Sequence, residues 1–103
     1  MSDDQDHFEV LRKIKLKPNS SQRELALELG FSLGKLNYCI NALKQKGLIK
    51  IENFKRNKNK INYFYILTAK GIKKKLNLTL VFMKKKMLEY EELKNELDKK
   101  NGF

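Results

Sequence analysis

The stretch SQRELALELGFSLGKLNYCINALKQKG, residues 21–47, decides the fold. Ser21 stands three places before Glu24, the spacing of a capping box, in which the serine oxygen accepts from the third helical amide and the glutamate reaches back. Leu25 and Leu29 follow one turn apart on the inner side of a short helix that stops at Gly30. Ser32 opens the next helix, and Leu36, Ile40 and Leu43 mark its buried stripe. Gly47 then supplies a left-handed end. Two short helices joined by Leu29-Gly30-Phe31-Ser32 are the outline of a helix-turn-helix.

Upstream, Phe8, Leu11 and Ile14 recur at three-residue spacing, which predicts a short amphipathic helix over about residues 6–16. Its acids lie at the start and Lys13, Lys15 and Lys17 at the end, as the helix dipole favours. Pro18-Asn19-Ser20 breaks it. Downstream of Gly47 the period changes from 3.6 to 2: Ile49 and Ile51 alternate with Lys50 and Glu52, a half-buried strand. The polar run 55–60 separates it from a second strand rich in aromatic and β-branched residues. Together they form a hairpin with a basic tip. Its loop has no glycine, so Asn57 or Asn59 must take any left-handed position.

Thr68 caps a final long helix that tolerates Gly71 in its first turn. From Ile72 to Lys100 it would span about 43 Å at 1.5 Å per residue, more than a core of this size covers. Leu76, Leu80, Met83, Met87, Tyr90 and Leu97 form the seam of a coiled coil, interrupted by Lys94, with Leu93 one place aside. Packing on its own domain would account for Ile72 to about Leu80 and for nothing beyond. A homodimer through this seam is therefore expected. The fold class is mainly α with a small β-hairpin (α+β). A winged helix-turn-helix fills residues 1–71, with helices near 6–16, 22–29 and 33–46 and wing strands near 48–53 and 61–67. A coiled-coil-like dimerisation helix follows over 72–103.

Charge points to the partner. The chain has 103 residues, room for one small domain, and 23 lysines and arginines against 12 acids, net +11. Residues 10–87 hold 20 basic residues and 3 acids (Glu24, Glu28, Glu52), whereas residues 1–9 hold four acids and no lysine or arginine. Coding drift toward A+T would raise lysine everywhere, but it would not move acids out of the middle. A positive middle favours a polyanion, above all nucleic acid.

The winged arrangement places the third helix in the major groove and the hairpin tip on the flanking backbone. With Leu36, Ile40 and Leu43 inward, the outer stripe carries Gly34, Asn37, Tyr38, Asn41 and Gln45. Asparagine pairs bidentately with adenine, tyrosine can meet a phosphate or a thymine methyl, and Gly34 lets the backbone approach closely. Ser32, Gly34, Lys35, Asn37, Tyr38 and Asn41 are the expected base readers. Ser21, Gln22 and Arg23, at a helix N-terminus, and the wing residues Lys55, Arg56, Lys58 and Lys60 are the expected phosphate contacts. A solvated face explains any one of these lysines equally well. It does not explain the wing as a group: counting Lys50, five cations repel one another unless a polyanion is near.

Other chemistry has little material. His7 is the only histidine and falls in an acidic start expected to fray, so no metal site or acid–base pair assembles around it. Cys39, the only cysteine, reads as a small core residue and suits a reducing cytosol. No glycine-rich phosphate loop and no 18-residue apolar run is present. The expectation is no enzyme, no cofactor, no metal, no membrane and a cytoplasmic, nucleoid-associated protein.

At these residues the chain resembles the small MarR-family regulators associated with exopolysaccharide loci. The resemblance rests on Ser21-Gln-Arg-Glu-Leu-Ala26, the turn and third helix from Leu29 to Cys39, and Ala42-Leu-x-x-Lys-Gly-Leu48. It continues through the wing 53–60, Tyr63-x-Tyr-x-Leu-Thr68, Lys70-Gly71 and Met83-Lys-x-Lys-Met87-x-Glu-Tyr90. It implies a dimeric bacterial transcription regulator of exopolysaccharide biosynthesis genes, acting on a pseudo-palindromic operator in double-stranded DNA. The family's usual proline after Leu-Thr is Ala69 here, and the acid-x-arginine pair of its wings is absent, leaving Arg56 as the wing's sole arginine. The helices that enclose the family's aromatic-ligand pocket are missing, so no small-molecule ligand is expected. Two other classes compete: an RNA- or ribosome-associated winged helix, and a protein-interaction module that uses the long helix.

Overall fold

A computed structural model of the chain describes the backbone at residues 2–57 and 60–100, and side chains at residues 3–53 and 64–99. The elements follow as α1 (Ser2–Leu16), α2 (Gln22–Leu29), α3 (Leu33–Gln45), β1 (Ile49–Asn57), β2 (Lys60–Leu67) and α4 (Ala69–Lys100). This is a winged helix-turn-helix followed by a long helix, as the sequence predicts.

The caps explain the boundaries. Ser21 Oγ accepts from Glu24 N at 3.1 Å and Ser32 Oγ accepts from Lys35 N at 3.1 Å, each satisfying an orphan amide of its helix. Gly30 ends α2 at φ 71°, with Phe31 N donating to Ala26 O at 2.9 Å. Gly47 stands at φ 72°, and Leu48 N donates to Leu43 O at 2.9 Å, a Schellman closure of α3.

α1 sits at the centre, touching α2, α3, β2 and α4. It presents Val10, Leu11 and Ile14, all buried, to Leu25 of α2, to Leu36, Ile40 and Leu43 of α3, and to Tyr65 and Leu67 of β2. The hairpin is antiparallel with Ile49 opposite Leu67 and Ile51 opposite Tyr65. Pro18 O accepts from Tyr65 N at 3.3 Å, which ties the α1–α2 connection to the outer edge of β2.

Several expectations change against the structure. α1 begins at Ser2, not near residue 6, because Asp3 and Asp4 stabilise its first turn and the packing of this end keeps it from fraying. His7, expected in a frayed start, is only 7 % exposed. β1 continues to Asn57 through residues placed in a loop, its backbone paired with β2 along that length without apolar alternation in the sequence. Its register slips between Lys55 and Asn57, the mark of a bulge. No described non-glycine residue has a positive φ, so Asn57 takes no left-handed position, and Asn59 lies outside the described residues. On α4, packing on the body does not cover the whole of Ile72 to Leu80: Ile72 and the seam residues Leu76 and Leu80 are exposed. The face it turns to the body carries Gly71, Leu78 and the half-buried Lys75, Thr79 and Phe82.

The start of α4 is clasped to the body. Thr68 Oγ1 donates to Gly47 O at 2.6 Å and accepts from Gly71 N at 3.0 Å, while Thr68 N donates to Leu48 O at 3.0 Å. Phe82 stacks on Phe8 of α1 with ring centroids 5.0 Å apart. From Met83 to Leu97 every side chain is exposed. The molecule is accordingly elongated, 69 × 26 × 20 Å, with a radius of gyration of 17.9 Å. A compact chain of this length has about 13 Å.

Candidate nucleic-acid interface

α3 is divided lengthwise. Leu36, Cys39, Ile40 and Leu43 are buried to 2 % exposure or less. Ser32, Gly34, Lys35, Asn37, Tyr38, Asn41 and Gln45 are exposed, with Tyr38 at 66 %. No heavy atom lies within 4 Å of the place a Cβ on Gly34 would occupy, so that point of the helix surface is open.

Two of the lysines expected to face a ligand are engaged within the chain. Lys35 Nζ lies 3.4 Å from Asp6 Oδ2 and 4.2 Å above the Phe31 ring, so its ammonium leans toward α1. Lys50, counted among the unpaired wing cations, stands 3.3 Å from Glu52. The alternation that made Lys50 and Glu52 outward neighbours on one strand also placed them within reach of each other. Nothing in the sequence signals the Asp6–Lys35 pair, whose partners lie on different helices.

At the start of α2, Ser21 and Arg23 are exposed and Gln22 is half-buried; the Ser21 hydroxyl caps the helix. In the wing, Lys55 and Arg56 lie on β1 and Lys60 on β2, with Lys55 opposite Ile61 and Lys60 opposite Asn57. Lys58 lies outside the described residues. Leu33, the first residue of α3, is a surface residue that sequence reasoning missed: it is 49 % exposed. Its spacing from Leu36 would put it on the inward stripe, but it lies where the stripe runs past the end of the core.

Two of the three middle-region acids are paired. Glu28 forms an ion pair with Lys17, which holds its carboxyl below the ordinary range, first through the hydrogen bond from that ammonium. Glu52 has Lys50 as its partner. The Cys39 thiol is pushed up by burial and then by Asp6, so it stays protonated and unreactive. Among the described residues, no three histidine, cysteine or acidic side chains are grouped to hold a metal ion, and no helix is long and apolar enough to cross a membrane.

A family model for winged helix-turn-helix DNA-binding segments matches residues 4–50, the span from α1 to the start of β1. Solved structures superpose over nearly all of the chain. Staphylococcus aureus MarR, in complex with salicylate and kanamycin, aligns with a TM-score of 0.66 at 21 % identity, over 84 % of this chain and 57 % of that one. A mutant of S. aureus MepR bound to an oligodeoxyribonucleotide aligns at 0.64 and 20 % identity, over 90 % and 73 %. The fold is that of the MarR-type regulators. A cysteine-to-serine mutant of Lactococcus lactis ZitR shares this MarR-type fold, with a TM-score of 0.63 and 19 % identity over 93 % and 61 %. The chain thus spans little more than half the length of the MarR chain it matches. No curated protein matches it by sequence.

Proposed function

We propose that the protein is a transcription regulator that binds double-stranded DNA in the cytosol, as a homodimer on a pseudo-palindromic operator. The lengthwise division of α3 carries the reading. Its inner stripe is wholly committed to the core, and its outer stripe offers Asn37, Tyr38 and Asn41 around an open Gly34. Such a face suits base edges in a major groove. Ser32 and Leu33 border it, the leucine being fit for a thymine methyl, and Lys35 joins by leaving Asp6 for a phosphate or a guanine. Ser21, Gln22 and Arg23 hold backbone phosphates at the start of α2, and Lys55, Arg56, Lys58 and Lys60 hold those flanking the groove. The MepR relative bound to an oligodeoxyribonucleotide supports DNA as the ligand. α4 pairs two copies through Leu76, Leu80, Met83, Met87, Tyr90 and Leu97. Control of exopolysaccharide genes rests on the sequence resemblance alone, and no small-molecule effector is assigned.

Selection of bound DNA from a random pool, followed by salt titration of the winning site, tests this reading. Replacing Lys55 and Lys60 by alanine should weaken binding to every sequence and flatten the salt slope by about 0.9 for each phosphate no longer neutralised. Asn41→Ala should relax preference at one base position by about 1–3 kcal/mol. Equal weakening on selected and random DNA would remove Asn41 from base reading. Stronger competition by duplex RNA than by B-form DNA would overturn the assignment, because the narrow A-form major groove excludes α3.

A further inference from the structure

α4 is a helix of two charges. From Ala69 to Lys86 it carries seven lysines and no acid; from Met87 to Asp98 it carries five acids and one lysine. Its exposed seam runs through both halves, with Leu76, Leu80, Met83, Met87 and Tyr90 each more than half exposed. Beside the basic half, between α1 and α4, lies an open groove of about 550 Å³. The Phe8–Phe82 stack lines it, with Arg12, Lys75 and Lys86 against a single acid, Glu9, and the seam residues Met83 and Met87 along its edge.

We infer that the occupant of this groove is the acidic half of α4 from a second copy, with the two helices running antiparallel about a two-fold axis at Lys85. The inference rests on the homodimer proposed above and gives it an orientation. A parallel pair would set seven lysines against seven lysines and five acids against five acids. An antiparallel pair about Lys85 moves Lys70, Lys73, Lys74 and Lys75 away from their own copies and toward the partner's acidic half, leaving only Lys84–Lys86 beside their counterparts at the axis. The heptad supplies the register: Leu76, Met83 and Tyr90 occupy one core position, and Leu80, Met87 and Lys94 the other. Facing these two sets antiparallel places Met83 opposite the partner's Met87 and Leu80 opposite the partner's Tyr90. Leu76 meets the stem of the partner's Lys94, whose ammonium reaches water, so the residue that interrupts the seam is accommodated at its end. On the groove side of the seam, Arg12 of α1 and Lys75 border the space that the partner's acidic half enters.

Disulfide trapping of the full chain tests this, with the buried Cys39 left in place and folding checked by circular dichroism. Leu80→Cys and Tyr90→Cys, oxidised separately, should give little covalent dimer, and mixed together they should give an 80–90 heterodimer. Ready self-linkage of Leu80→Cys and of Tyr90→Cys would mean parallel helices and overturn the inference while leaving the homodimer intact. Sedimentation of the unaltered protein as a monomer at tens of micromolar would instead overturn the homodimer itself, and the orientation with it.

Discussion

A methyl group at Gly71 would fall 1.9 Å from Leu48 O, the carbonyl that accepts from Thr68 N. Gly71→Ala should therefore cost about 1–3 kcal/mol in a denaturant titration, although alanine is the better helix former. Gly34→Ala should do the reverse. With nothing near its Cβ, it should stabilise the fold by about 0.5–1 kcal/mol and at the same time weaken DNA binding, because the methyl occupies the exposed face of α3. His7 adds a dependence on pH. Burial, and then the nearby Lys46, hold its imidazole below the ordinary value of about 6.5. The unfolded chain takes up that proton more readily, so stability should fall as pH drops from about 6.5 through the depressed value, and should be unaffected above it. Thermal melts between pH 7.5 and 5 should show the decline, and His7→Gln should flatten it. Loss of the Lys17–Glu28 pair would appear only at lower pH, beneath the ordinary glutamate range. At this scale the caps at Ser21, Ser32 and Gly47 were legible because each acts within four residues. The roles of Gly71 and His7 were not, since each is set by atoms far away in the chain.

Among the elements, the helix-turn-helix was the easiest to read, because α2 and α3 bury one stripe each and their 3.6 period is undisturbed. β1 was read too short, since its polar run 55–57 carries no apolar alternation and its strand is set by backbone pairing with β2. The face by which α4 packs on its own body was not legible in the sequence. The most regular apolar row of the helix, Leu76–Leu80–Met83–Met87, is the one turned to water, and the row that packs includes a glycine, a lysine and a threonine. The Phe8–Phe82 stack joins α4 to α1. A double-mutant cycle with Phe8→Ala and Phe82→Ala should return a coupling of about 0.5–1.5 kcal/mol. A coupling near zero would mean that the clasp at Thr68 holds α4 without help from the rings.

For the molecule as a whole, the outlying half of α4 contributes no side chain to the core among the described residues. A chain ended after Met87 should melt cooperatively with an unchanged helix-turn-helix, yet sediment as a monomer and bind a single half-site. Its affinity for a full operator should fall by about 10²–10⁴, the advantage of linked binding. Stability nearer the full chain's value than its affinity would separate the two roles of the helix. The charge layout that suggested a polyanion also takes a second meaning at this scale: five of the nine acids held out of the middle lie on the outlying length of α4, where they can meet lysines of another copy.

The Thr68 clasp has a consequence for the operator. Thr68 is bonded both to Gly47 and to Leu48, so α3 and α4 are joined through one stiff corner with no flexible linker between them. A dimer built on α4 then behaves as a fixed gauge, its two reading heads locked in separation and in phase. Adding one base pair between the half-sites shifts them by about 3.4 Å and turns them by about 35°, and this protein has no swivel with which to follow. Operators should accordingly vary in sequence more freely than in spacing.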